Sequence, residues 1–475
     1  MNEASPIPEG EWEPGEDAAH PPKAGAMQGD LTQGPILKTL MLFSLPMLLS
    51  NVLQTLNGSV NAIWVGRLIG ESALAATANA NVIMFLLFAA VFGFSMATTV
   101  RVGQSFGARD LVAARRTFGS GVGFCSVVAA LTGLAGWFLA DTLLDLMSTP
   151  GASKAQALAY LQVIFITLPF GAVSMMVSMG MRGAGDSRSP LYAMIMVVLL
   201  DIGLNPVLIM GVGPVPELGI AGSAIATAIA NLGGLVFLIW RIYRHDLPMR
   251  LRGPELGFLR PRRDELAYIV TKGLPMGAQM LLVSSAGLIM IGLVNQLGLN
   301  ASAAYGASLQ LWNYLQMPAF AMGTAVSAMV AQAIGADNHE RVDAVANVGM
   351  IANLVLTTAM AALIVGFDRP LLSLFLGWDS PAMPIAEHIQ LICTASFVIV
   401  SVTMIMQGTL RAYGVVIAPL IIMGIGLYPG RLGFYYLLEP QLAGDAVWWS
   451  FPFGSVVTVA LTMAYYRMAN WRKSR

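Results

Sequence analysis

From Ile36 onward the chain is a succession of long apolar runs, separated by short polar or Gly/Pro-rich joints. A helix that crosses a bilayer needs ~20 mostly apolar residues. On that criterion spans are predicted at 36–64, 71–104, 111–138, 155–181, 189–211 and 219–243, and again at 266–295, 301–334, 342–366, 384–410, 415–437 and 446–468. Several exceed one bilayer thickness and must tilt or project into water. The pattern therefore predicts an all-α polytopic membrane protein with twelve transmembrane helices. A charged stretch at 244–265, between the sixth and seventh spans, reads as a cytoplasmic linker, and 471–475 as a short cytoplasmic tail. The first 35 residues are polar, acidic and rich in Pro and Gly. They lack the basic and apolar regions of a signal peptide and enough apolar surface to order themselves. A disordered cytoplasmic tail is expected at 1–35, either a solvated leader or a recruiting segment.

Composition narrows the class. Of 475 residues, 56% are hydrophobic and 11% charged, against ~25% charged in soluble domains. This excludes a soluble enzyme and a disordered scaffold. The formal net charge of +0 offers no attraction to nucleic acid. Cys125 and Cys393 both sit in apolar runs, which excludes a disulfide framework. His20, His245, His339 and His388 fall in tails, loops or helix ends, without metal-ligand spacing, so neither metal nor cofactor is implied. Basic residues fix the expected orientation. With both termini inside, the cytoplasmic side holds Arg109, Arg115, Arg116, Arg182, Arg188, Arg341, Arg411, the run from Arg241 to Arg263 and the C-terminal tail. The outer side keeps Arg67, Lys154, Arg369 and Arg431. That asymmetry follows the positive-inside rule and points to the inner (plasma) membrane. Arg182 and Arg411, at helix ends, read as snorkelling anchors.

The two halves repeat. Leu45-Pro46-Met47 recurs as Leu274-Pro275-Met276, 229 positions on. Gly103-Gln104-Ser105-Phe106-Gly107-Ala108 recurs as Ala331-Gln332-Ala333-Ile334-Gly335-Ala336, 228 on. Arg182, Gly185 and Pro190 recur as Arg411, Gly414 and Pro419, again 229 on. An even number of spans per copy makes the repeats parallel. Two pseudo-symmetric six-helix bundles, 36–243 and 266–470, are expected, with a substrate site near the midplane between them.

In residues 36–470 the chain resembles the multidrug and toxic compound extrusion (MATE) family. The likeness rests on Ser44-Leu45-Pro46 with Val60-Asn61-Ala62-Ile63-Trp64-Val65-Gly66, on Gly103-Gln104 to Gly107, on Arg182-Gly183-Ala184-Gly185-Asp186, and on Asn205-Pro206-Val207-Leu208-Ile209 followed by Gly219-Ile220-Ala221-Gly222-Ser223-Ala224. The resemblance implies an antiporter that exports organic, often cationic compounds in exchange for H⁺ or Na⁺. This chain departs from the family pattern at the coupling carboxylates. Asn61 stands where Asp is usual, and the fifth span reads Asp201 then Asn205-Pro206 where Asn then Asp-Pro is usual. A Glu found in the seventh span of one branch is absent near Val283.

Asp201 is the acidic residue that falls deep in a span. An ionised carboxylate there costs ~2.5–3.5 kcal/mol, and such a residue is a functional candidate by default. It can load a proton on one side and release it when a conformational change rehydrates it. The other reading is a satisfied structural polar group. Asn205 lies one turn on, and Pro206 withholds a backbone N–H from the turn before it. In the first span Asn51, Gln54, Asn57 and Asn61 share a polar face, either lining a cavity or bonding helix to helix. The family geometry would bring Asn61 and Asp201 together, with Ser223 and Thr227 completing the pocket. Asp201, Asn205 and Asn61 are thus the candidate coupling set. H⁺ is favoured over Na⁺, because a dedicated Na⁺ site in this family usually uses more than one acid.

Further lining candidates are Met175 and Met179, whose flexible thioethers suit promiscuous sites or ordinary packing. Gln279, Asn313 and Gln407 are the polar candidates in the second half. Trp312, Tyr314 and Tyr428 are available to stack on planar cations, or to anchor at the interface. The expected partners are small organic substrates, the coupling ion and lipid, around a monomer. A lipid-linked precursor flippase is the nearest rival. It needs a basic central cavity, and this count places no Lys or Arg mid-span. A membrane enzyme lacks its nucleophile or metal cluster, and a scaffold needs neither an intramembrane carboxylate nor the adjoining proline.

Overall fold

The computed structural model describes residues 30–146, 151–211, 216–468 and 471. Among them twelve helical spans are long and apolar enough to cross a membrane, as the hydropathy pattern predicts. The first half contains α1 (Ile36–Leu68), α2 (Glu71–Gly107), α3 (Leu111–Leu146), α4 (Gly151–Gly183), α5 (Arg188–Met210) and α6 (Gly219–Arg244). The second contains α7 (Arg263–Gln296), α8 (Leu299–Gly335), α9 (His339–Gly366), a short α10 (Asp368–Leu376) and α11 (Met383–Ala412). Its eleventh span is composite: α12 (Ile417–Ile425), a π-helical turn (Gly426–Leu432) and α13 (Gly433–Leu442). α14 (Asp445–Met468) closes it. Helices are the form in which an apolar segment satisfies its own backbone groups in lipid. Leu131, Leu134 and Phe138 on α3 stand exposed, a belt suited to hydrocarbon, whereas α8 is buried along most of its length.

α1–α6 pack on one another, as do α7–α14, and the bundles meet where α2 lies against α7 and α8 and α1 against α8. Glycines set the closeness of α2 and α7: a Cβ on Gly277 would lie 2.7 Å from the Ala89 carbonyl oxygen.

The Gln-bearing repeat builds a reciprocal clasp at the end of the molecule where Leu31 and Trp471 lie. Gln104 Nε2 on α2 donates to the Ala412 carbonyl at the end of α11 (2.7 Å). Gln332 Nε2 on α8 donates to the Gly183 carbonyl at the end of α4 (3.0 Å). Each bond runs from one bundle to the other, and the repeat makes them images of each other. Three residues on from each Gln, Gly107 and Gly335 lie so close to the facing backbone that a Cβ on either would overlap the carbonyl oxygen of the opposite Gln.

Beneath this clasp runs a strap. Of the tail expected at 1–35, residues 1–29 lie outside the described residues, and the remainder is pinned rather than loose. Leu31 is buried, its N–H donating to Gln332 Oε1 (2.9 Å). Arg341 Nη2 donates to the carbonyls of Leu31 and Gln33, both at 2.9 Å. Trp471 packs against Tyr413, with ring centroids 4.9 Å apart. Arg182 and Arg411, expected as anchors at the interface, instead bury Nε without a hydrogen-bond partner. The expected linker holds a 3₁₀ helix, Gly253–Leu259, docked on α3, with Arg115 Nη1 2.9 Å from Glu255 Oε1.

Arg431 also corrects the sequence reading. The count of basic residues puts it on the outer side, near the end of the predicted 415–437 span, but it lies well inside the Ile417–Leu442 span, on the π-helical turn. Its span therefore does hold an arginine, contrary to the count above.

Gly107→Ala and Gly335→Ala are each expected to cost about 1–3 kcal/mol by overpacking. Gly287→Ala, which points into open space, is the control. Thermal unfolding of the purified protein checks this, and equal melting of the Gly107 and Gly287 variants would remove the interlock.

Candidate functional site

Asp201 sits in the middle of α5, wholly buried. Three helices turn hydrogen-bond donors toward its carboxylate. From α1, Asn57 Nδ2 and Asn61 Nδ2 reach Oδ2 at 2.6 and 2.9 Å. Asn205 Nδ2, one turn on in α5, reaches Oδ1 at 2.9 Å, and Thr227 Oγ1 from α6 reaches Oδ1 at 3.1 Å. The ring is cross-linked, since Asn205 Nδ2 also donates to Asn61 Oδ1 (2.7 Å) and Asn61 Nδ2 to Thr227 Oγ1 (3.2 Å). Four donors on two oxygens are what a desolvated carboxylate requires. Two amide oxygens, Asn57 Oδ1 and Asn205 Oδ1, are buried without a partner.

A cavity of about 250 Å³ adjoins this ring. Asn61 and Thr227 line it, as do Ser223, Asn231, Tyr160 and Asn81, while Asp201 does not. The carboxylate is thus one side chain back from the cavity, reached through Asn61 and Thr227. Ser223, Thr227 and Asn231 recur every four residues on α6, a spacing that would have revealed Asn231. Nothing in the sequence near Tyr160 or Asn81 marked them.

The structure assembles Asp201, Asn205, Asn61, Asn57, Thr227 and Ser223, and leaves the other candidates elsewhere. Gln54 is exposed and Asn51 half-buried, because they lie ~60° and ~120° round the helix from Asn57 at ~100° per residue. Met175 packs into an apolar cluster with Phe88 and Ala172, and Met179 is buried with its carbonyl bonded to Thr99 (2.9 Å). Packing, the alternative reading of both methionines, is what their surroundings show. In the second bundle Gln279 Nε2 holds the Val416 carbonyl (3.3 Å), Gln407 is buried in α11, and Asn313 is exposed. Trp312 is a core residue rather than a stacking platform, its Nε1 donating to Gln390 Oε1 (3.0 Å).

The MatE family profile matches residues 46–207 and 275–437. The chain belongs to the MatE family. It is a member of the MATE multidrug efflux transporters, not an enzyme, and the two matched blocks begin 229 positions apart, the register of the sequence repeat. Among curated relatives, the probable multidrug resistance protein YoeA of Bacillus subtilis is 30% identical over 93% of this chain and 95% of its own. The probable multidrug resistance protein NorM of Thermotoga maritima is 25% identical over 92% and 94%. Among solved structures, the outward-facing conformation of a multidrug resistance MATE family transporter superposes with a TM-score of 0.84 at 21% identity, covering 93% of this chain and 97% of that one. That likeness is one of fold.

Asp201→Leu strips the shared acceptor from four donors and leaves those of Asn57 and Thr227 with none, each orphan costing about 1–3 kcal/mol. It is expected to lower the unfolding temperature well below that of Asp201→Asn, which keeps an acceptor oxygen. Similar melting of the two would show that the ring adds nothing to stability.

Proposed function

We propose that this MatE-family chain is a secondary antiporter, exporting amphipathic, often cationic organic compounds in exchange for H⁺ by alternating access of its two bundles. The observation that carries the reading is the buried Asp201, knit to α1 and α6 and set one side chain behind a cavity. Ionised, it accepts from all four donors. Protonated, one of its oxygens becomes a donor, so an amide or hydroxyl that now points at it must turn away. The links from α5 to α1 and α6 are therefore different in the two protonation states. That difference supplies the differential stabilisation of two conformations that coupling requires. Asn61 and Thr227, facing both the carboxylate and the cavity, form the route between them for a proton.

On this reading both termini are cytoplasmic, the monomer is the working unit in the inner membrane, and the Gln104 and Gln332 clasp closes the cytoplasmic end. The conformation then faces outward, and the inward-facing one requires both Gln bonds to part. Na⁺ is the second reading, favoured by one observation: the unpartnered Asn57 and Asn205 oxygens are the ligand type a hard cation uses. The matched multidrug proteins support export over lipid flipping.

The test is reconstitution in liposomes with ethidium flux, driven by a pH gradient or a Na⁺ gradient alone. Wild type is expected to respond to the pH gradient and Asp201→Asn to lose that response. Proton-driven flux that survives in Asp201→Asn overturns the coupling role. Response to the Na⁺ gradient alone selects the second reading, and lipid translocation without dye flux selects a flippase.

A further inference from the structure

The internal repeat carries Asp201 onto a residue of opposite charge. Through Arg182/Arg411 and Pro190/Pro419 the register is 229. Across the π-helical turn Gly426–Leu432 it becomes 230, because a π turn accommodates one extra residue. Asp201-Ile202-Gly203 then falls on Arg431-Leu432-Gly433. The matched family blocks end on the same step, at 207 and 437.

The surroundings are exchanged along with the charge. In the 229 register Asn57-Gly58 falls on Ala286-Gly287, and Asn61 on Met290. Ala286 and Met290 are both buried, so the amides that serve Asp201 have no counterpart beside Arg431. Aromatic rings take their place. Arg431 Cζ lies 3.2 Å from the centroid of the Phe451 ring. That ring packs on Trp312 at 5.6 Å and Tyr305 at 6.2 Å. Arg431 Nε is buried without a hydrogen-bond partner, and among the described residues no acidic side chain pairs with the guanidinium. A ring contact offsets part of the charge but engages none of the five N–H donors, and a guanidinium offers no acceptor. An intramembrane arginine is ordinarily paired or drawn out to the interface. This one is held inside a span by aromatic residues, with its donors unspent.

The geometry points to Arg431 as the anion-recognising residue of the second bundle, binding the carboxylate of an organic substrate. The guanidinium fork matches a carboxylate in a way an ammonium does not, while the buried rings of the Phe451 cluster hold the arginine in place. This deepens the exporter reading, and rests on it, by naming the residue that selects carboxylate-bearing compounds among those the protein takes. The first bundle, with its buried anion, and the second, with its unpaired cation, then differ in the charge they accept.

The test uses a matched pair, a rhodamine zwitterion with a free carboxylate and its methyl ester, bound to the full chain in lipid nanodiscs and followed by fluorescence anisotropy. Wild type is expected to bind the acid more tightly than the ester. Arg431→Met should weaken acid binding at least about ten-fold, the loss of one charge-assisted contact, and leave ester binding unchanged, which also reports an intact fold. Arg431→Lys, which keeps the charge but not the fork, should lie between, and decides the matter if the Met variant does not fold. No preference for the acid in wild type, or equal effects on acid and ester in the variants, overturns the assignment. Flux of the same pair in liposomes separates the two readings. Arg431-dependent binding without gradient-driven flux overturns the exporter reading alone, and flux of both compounds with no acid-selective loss in Arg431→Met overturns the assignment alone.

Discussion

A carboxylate with no exposed surface in the middle of a span persists only where the protein replaces the water it has lost. Asn57, Asn61, Asn205 and Thr227 do so for Asp201, and the rest of the first bundle follows from that demand. α1 has to lie against α5 to deliver two amides, and α6 has to approach from the other side to deliver a hydroxyl. The cavity opens where α1 and α6 present the far sides of the same residues. Cohesion and chemistry thus share one set of atoms, so a change of protonation acts directly on helix packing.

Between the bundles the constraint is of another kind. The contacts at the end where Leu31 and Trp471 lie are few, directional and duplicated by the repeat: a glutamine from each bundle on a helix-end carbonyl of the other, with a glycine beside each to admit the approach. Under the proposed alternating access, two-fold duplication means that one rigid-body motion strains both bonds at once. Hydrogen bonds to free carbonyls at helix ends suit the opening that the proposed alternating access requires, because each net contribution is only about 0.5–1.5 kcal/mol.

Much of this was legible in the sequence. Twelve apolar runs gave the spans, and three anchors in one register gave the repeat. An acid inside an apolar run is conspicuous, which marks Asp201; helical spacing marks Asn205 beside it and groups Asn57 with Asn61; the resemblance to the family is what brings Asn61 and Thr227 to Asp201. What escaped depends on packing between distant segments. Gln54 and Asn51 share polarity with Asn57 but not its angle on the helix. Met179 and Trp312 look suited to substrate and prove to be core. Arg431 falls near the outer end of its predicted span, 415–437, and counts with the outer basic residues; the observed span runs on to Leu442, which sets it deeper, and an added residue in a π turn leaves no mark in composition. The order in residues 30–35 was hidden because it comes from Arg341 and Gln332, some 300 positions away.

Gln332 serves both attachments. One end of its amide holds the first bundle through Gly183, and the other holds Leu31, five residues before the start of α1. The chain is therefore moored to the second bundle on both sides of the first, by the strap ahead of α1 and by the linker after α6. For the rocking of bundles proposed above, two such tethers favour rotation about the line that joins them. On that proposal the strap is part of a hinge pin, choosing the axis of motion rather than its extent.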